Sequence, residues 1–191
     1  MFSKDGKEIL YSTDRAGWRR WLEDHFETER EIWFAFPTKG SGKEGVPYND
    51  AVEEALCFGW IDSTAGRFGD DFSIRRFTPR REGSPYSRPN IERLIWLDSQ
   101  GMIHPKVRPK VQGIITEEYV FPEDILDAIR EDAGTWSNFQ SFSLPYRRIR
   151  VAYIDAARDR PEEFRKRLNN FLSATRRNRI IIGYGGIDSY Y

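Results

Sequence analysis

Apolar residues recur with two spacings along this chain, one helical and one alternating. Trp18, Trp21, Leu22 and His25 fall at i, i+3, i+4 and i+7 behind Ser12 or Thr13 as a cap, which predicts a helix over 13–26. The run EIWFAF at 31–36 is short, aromatic and ended by Pro37, as a strand would be. Residues 49–58 carry Asp50, Glu53 and Glu54 early, turn Ala51, Val52, Ala55 and Leu56 inward, and stop at Gly59, so a second helix is expected. Segments 60–65 and 72–78 read as the two strands of a hairpin around GRFGDD. Ser87 caps a helix reaching Gln100, with Ile91, Leu94, Ile95 and Leu97 on its apolar side.

Between 102 and 121, Pro105, Pro109 and Gly113 predict irregular chain with at most one short helical turn. Pro-Glu-Asp at 122–124 opens a helix over 122–132, and Thr135 can cap a short segment over 136–142. Helices over 146–158 and 161–177 follow, the last with Phe164, Leu168, Phe171 and Leu172 on one stripe. The expected fold is α+β: a small antiparallel sheet of about three strands packed with helices, then a helical C-terminal half. The organisation is an α+β unit over 1–105, an irregular connection over 106–121, a helical part over 122–177 and an aromatic tail over 178–191. The tail segment IIIGYGGIDSYY has one charge and several large apolar groups, so it is expected to dock on its own body or on another copy.

Composition narrows the class. A chain of 191 residues with 15% aromatic and 31% charged residues is an ordinary globular protein. Its formal net charge is zero, which removes any long-range pull toward nucleic acid or anionic lipid. That zero conceals blocks of −4 (1–60), +4 (61–110), −6 (111–145) and +6 (146–191), which a compact fold gains by juxtaposing. Arginine outnumbers lysine by 23 to 7, favouring bidentate contacts to carboxylate or phosphate. One cysteine, Cys57, excludes an internal disulfide, and its apolar neighbours mark a buried, inert thiol. The first residues lack the apolar core of a signal peptide and no run is long enough to span a membrane, so a cytoplasmic location is expected.

The chemistry concentrates between Cys57 and Asn90, where Arg75, Arg76, Arg80 and Arg81 follow a Gly-Trp-Ile-Asp tetrapeptide. Strand alternation puts Phe72, Ile74, Arg76 and Thr78 on one face, and a register pairing residues that sum to 138 sets Asp62 opposite Arg76. Trp60, Asp62, Thr64, Arg76 and Thr78 would then share a sheet face. Two interpretations stay open: an Asp–Arg pair that fixes the hairpin register, or a ligand site. Arg80, past Pro79, is placed to meet an anion, with Asn90 and Lys39 at the rim. The stretch KGSGK at 39–43 fails the phosphate-loop pattern, and Glu44 would repel a phosphate. His25 reads as a packing residue and His104 as a turn cap. Nothing in the sequence marks a metal, a redox cofactor or a covalent nucleophile, so no cofactor is expected. Basic helices after Tyr146 are interleaved with Asp155, Asp159, Glu162 and Glu163, which argues against nucleic acid.

The same residues carry a resemblance. Trp21-Leu22, Ile32-Trp33, the KGSGK loop and above all EEALCFGWIDS, RRFTPRR and YSRPN between Glu53 and Asn90 are similar to the YdeI/OmpD-associated (OmdA-like) family, labelled bacteriocin-protection. A weaker echo runs through Phe139, Leu144-Pro145 and the basic helices after them. The resemblance implies a role in resistance to antimicrobial peptides or envelope stress. The chain departs from the family at Tyr86, where a Trp is usual, and at Pro109, where a small-residue turn is usual.

The residues thus lead to a binder of a small anionic or zwitterionic ligand, lined by Trp60, Asp62, Arg76, Thr78 and Arg80. If there is a reaction, Asp62 is the general base and Arg76 the charge stabiliser. The alternative is a non-catalytic interaction module of the stress response, contacting partners or a second copy through its tail or basic helices; nucleic-acid binding by those helices is a minor third.

Overall fold

The computed structural model describes residues 2–4, 6–183 and 190. Its elements run β1 (Phe2–Lys4), β2 (Lys7–Leu10), α1 (Arg15–His25), β3 (Ile32–Pro37), α2 (Tyr48–Cys57), β4 (Trp60–Phe68), β5 (Phe72–Pro79), α3 (Arg88–Ser99), α4 (Arg108–Thr116), α5 (Glu123–Arg130), α6 (Ala133–Ser141), α7 (Leu144–Asp155) and α8 (Pro161–Arg176). The class is α+β, as expected. Two compact units emerge: Met1–Pro85 with Leu97–Gly113, and Tyr86–Trp96 with Ile114–Tyr191. No helix among the described residues is long and apolar enough to cross a membrane.

The first unit is built on one sheet, in the order β1-β2-β3-β5-β4. It is mixed rather than antiparallel, because β2 and β3 run parallel (Ile9 beside Trp33, Leu10 beside Phe34). It is also larger than about three strands: beyond the three-residue edge strand β1, four strands make its body. The parallel pair is possible because α1 supplies the crossover between β2 and β3. Asp14, rather than Ser12 or Thr13, caps α1, its Oδ1 accepting from the Gly17 amide at 2.7 Å. Trp18 and Leu22, both fully buried, face the sheet, and the Trp18 ring lies 4.7 Å from Phe34 and 5.4 Å from Phe77. The opposite face has its own cluster of Ile9, Trp33, Ala35, Phe72 and Ile74, packed with Phe2, Tyr11 and Phe68. Gly59 sits at φ 72° between α2 and β4, a left-handed turn that a side chain would strain.

Residues 106–121 are not an irregular connection throughout, since α4 occupies Arg108–Thr116. Pro109 falls in its first turn, where the missing amide has no intrahelical partner to lose, and a side chain added at Gly113 would meet open space. In the second unit, Ile125, Ile129, Phe139, Tyr146, Val151, Ile154 and Phe171 form the core of the later helices. Asp132 caps α6 where Thr135 was expected, accepting from the Thr135 amide and hydroxyl, both at 2.6 Å. From the tail, Ile181 packs on this core and its amide donates to Tyr146 Oη at 2.9 Å. Ile180 and Ile182 are 48% and 69% exposed, so only the middle isoleucine is packed. Tyr190 stacks on Trp96 at 4.9 Å, whereas Tyr184 and Tyr191 lie outside the described residues.

Candidate functional site

The hairpin forms, but not in the expected register. Near the turn, Phe68 faces Phe72 and Gly66 faces Ile74; at the far end Asp62 faces Phe77, Ile61 faces Thr78 and Trp60 faces Pro79. A bulge between Asp62 and Ala65 makes the change. One extra residue turns every following side chain to the other side of the sheet. The bulge therefore splits the expected single face in two. Trp60 and Asp62 go with Phe77 to the helix-covered side, while Arg76 and Thr78 go with Trp33 to the other. Asp62 and Arg76 do not meet, which removes the centre of the expected pocket.

Each residue then finds a different partner. Trp60 is fully buried, T-stacked on Trp21 at 5.9 Å, and donates from Nε1 to the Phe26 carbonyl at 3.1 Å. It is a core residue. Arg76 donates from Nε to Glu31 Oε2 at 2.8 Å, in a pair about 40% exposed on both sides. Arg80 reaches back to the carbonyls of Ser84 (3.3 Å) and Pro85 (2.9 Å), and its amide donates to Gly59, so it clasps the loop after β5. Lys39 is exposed at the tip of its loop, where Lys43 pairs with Asp71 at 3.3 Å. Asn90 belongs to the second unit, where its Oδ1 accepts from Arg93 Nη1 at 2.9 Å.

Around Asp62 the fold assembles a different group. Tyr48, the first residue of α2, donates from its hydroxyl to Asp62 Oδ2 at 2.6 Å. Arg75 carries its guanidinium 5.1 Å above the Tyr48 ring and brings Nη1 to 4.0 Å from the same oxygen. Arg75 and Tyr48 are two-fifths exposed, while the Asp62 side chain is 16% exposed. The arrangement is a fixed carboxylate beside a loosely held guanidinium. Strand alternation had set Arg75 away from Asp62; the bulge reverses that. Two clefts lie elsewhere: one of about 500 Å3 includes Asp98, Ile103, Arg108 and Gln112, and one of about 310 Å3 includes Arg150, Tyr153, Arg167 and Ile181.

A second group in the first unit escaped the sequence reading. Glu54, with its side chain 1% exposed, receives Arg15 Nε at 2.5 Å and Arg19 Nη1 at 2.7 Å. Arg15 Nη1 also lies 2.9 Å from Glu53, and Arg19 Nη2 donates to the Met102 carbonyl at 2.9 Å. Burial works against both guanidinium charges, but the hydrogen bonds and charge of Glu54 outweigh it and hold both above their usual value. The pair Arg15 and Arg19, four apart on one helix, was the available signal. Cys57 is fully buried, and burial, reinforced by Glu54, pushes its thiol up to about 12, so it is inert. His25 stacks on Trp21 and its Nδ1 lies 2.7 Å from the Trp21 carbonyl, while His104 Nδ1 accepts from the Lys106 amide at 3.2 Å. Both are structural, as their sequence positions indicate.

Comparison with known proteins divides the chain similarly. Residues 10–110 match the model of a domain of unknown function (DUF8412), and residues 118–178 match that of the family described as Bacteriocin-protection, YdeI or OmpD-Associated. The second match falls on the helices where the sequence shows the weaker echo, and the motifs between Glu53 and Asn90 lie within the first. No curated protein and no solved structure matches the chain. The chain therefore belongs to the domain-of-unknown-function family DUF8412, whose model covers more than half of its length, while residues 118–178 are similar to the family described as Bacteriocin-protection, YdeI or OmpD-Associated.

Proposed function

We propose that the protein binds a small zwitterionic or anionic ligand at Arg75, Asp62 and Tyr48 on the first unit. The observation that carries this is the loose 4.0 Å contact between Arg75 and Asp62, beside a Tyr48 hydroxyl that already fixes the carboxylate. A guanidinium stacked on a ring presents its edge donors outward, and a carboxylate group can take them bidentately. An ammonium group on the same ligand would meet Asp62, whose second oxygen lies beside the first. Exposure of Arg75 leaves it reachable. The family name carried by 118–178 brings protection against bacteriocins to the proposal as its physiological setting.

The test is a thermal-shift screen of free amino acids and small carboxylates against the wild type, Arg75→Met and Asp62→Asn, since a ligand of the native state raises the melting temperature. Ligands that stabilise the wild type should lose their effect in Arg75→Met, and zwitterions also in Asp62→Asn. Stabilisation that persists unchanged in Arg75→Met would overturn the assignment.

A further inference from the structure

The second unit gathers arginines around too few acids. Glu92, on α3, has its side chain 1% exposed. Arg88 donates to Glu92 Oε1 from Nε at 2.7 Å and again from Nη2. From α7, Arg148 brings Nε to 3.0 Å from the same oxygen without the alignment of a hydrogen bond. Its neighbour Arg147 has a buried Nε with no acceptor and lays its guanidinium 5.6 Å over the Phe139 ring. Among the described residues, no carboxylate lies within ion-pair distance of Arg147.

Among the described residues, the charges around this group do not restore the balance. Arg88 rests 4.9 Å over the Tyr119 ring, and the nearby Asp155 is engaged by Arg158, which also holds Asp124. Burial pulls the Arg148 guanidinium below its ordinary value; Glu92 opposes that, and the Arg88 and Arg147 charges add to it. A guanidinium cannot shed its proton to relieve such crowding, so the excess positive charge calls for an anion from outside.

We propose that Arg88, Arg147 and Arg148, on α3 and α7, form a site for a dianionic phosphate group, with Glu92 holding the Arg88 and Arg148 heads in place. Among the described residues, three cations against one carboxylate leave two positive charges, and a phosphate monoester carries about −1.5 to −2 near pH 7. Planar arginine forks match its oxygens in pairs. The Arg88 and Arg148 side chains are 9% and 17% exposed, which suits a small ligand better than a polymer backbone. Inorganic phosphate and a phosphorylated metabolite share this chemistry. The site is separate from the Arg75 group and does not rest on it.

The experiment uses the full chain, with calorimetric titration and thermal unfolding at constant ionic strength. The probes are inorganic phosphate, phenyl phosphate, sulfate, acetate and a short DNA duplex. Phosphate and sulfate should bind saturably and acetate at least about tenfold more weakly, because one charge cannot balance two. Phenyl phosphate binding should tighten as pH rises through about 6, where its second proton leaves, while sulfate binding stays flat. A tighter phenyl phosphate than inorganic phosphate would assign the site to a metabolite, and the reverse to the free ion. Arg147→Met, which breaks no ion pair among the described residues, should fold like the wild type in chloride and weaken phosphate at least about tenfold. It carries the test even if Arg148→Met fails to fold. A phosphate effect no larger than that of acetate, one that survives Arg147→Met, or preference for the duplex would overturn the site.

Discussion

The two units enclose the same two residue types in different proportion. In the first, Arg15 and Arg19 meet Glu53 and Glu54, with Asp50 3.9 Å from Arg15 at the margin. In the second, Arg88 and Arg148 share the single carboxylate of Glu92, with Arg147 beside them. Counting charges therefore separates the two where residue type does not. The balanced group needs no added charge and joins α1 to α2. The unbalanced group is complete only with an added anion. Burial sharpens the contrast, because uncompensated charge is costly where water is excluded.

The strongest way to break the comparison is to unbalance the first group. Replacing Arg15 and Arg19 together by Met leaves the buried Glu54 carboxylate without a cation, and denaturant melts should show a loss of roughly 3–5 kcal/mol. A loss below about 1 kcal/mol would mean that water reaches Glu54 and that the network is not structural. At the small end lies Arg76→Met. Its partner Glu31 is 40% exposed, so the expected cost is about 1 kcal/mol or less. A loss of several kcal/mol would show that Arg76 supports the apolar face around Trp33 after all.

The extent to which the sequence foretold this fold follows the range of each interaction. Local signals served the helices: the Trp18 and Leu22 spacing gives α1, and Ala51, Val52, Ala55 and Leu56 give α2. The strands β3, β4 and β5 were legible from their aromatic and β-branched runs and the glycine turn. The strands β1 and β2 were not, because FSK and KEIL are short and charged, and β1 is held only through β2, which depends on the distant β3 (Ile9 beside Trp33) for pairing. Pro109 hid α4, since a proline in a first turn looks the same in sequence as one in a loop. The site failed at one residue. A bulge between Asp62 and Ala65 changes no composition or period that a reader could count, yet it decides which arginine Asp62 meets. Glu54 misled differently: expected early in its helix, it lies past the first turn of α2, and only tertiary packing makes it a buried counter-ion.

The most direct test of the contrast is the phosphate dependence of thermal stability in Glu54→Gln and Glu92→Gln, measured against the wild type at constant ionic strength. Glu54→Gln should melt lower in chloride and keep the wild-type phosphate response, because Glu53 and Asp50, both beside Arg15, still match the two arginines in number and Arg19 keeps the Met102 carbonyl. Glu92→Gln should also melt lower in chloride but recover more in phosphate than the wild type gains, since a third positive charge is then left for the anion to balance. Equal phosphate responses in the two variants would contradict the claim that one group is complete and the other awaits a ligand.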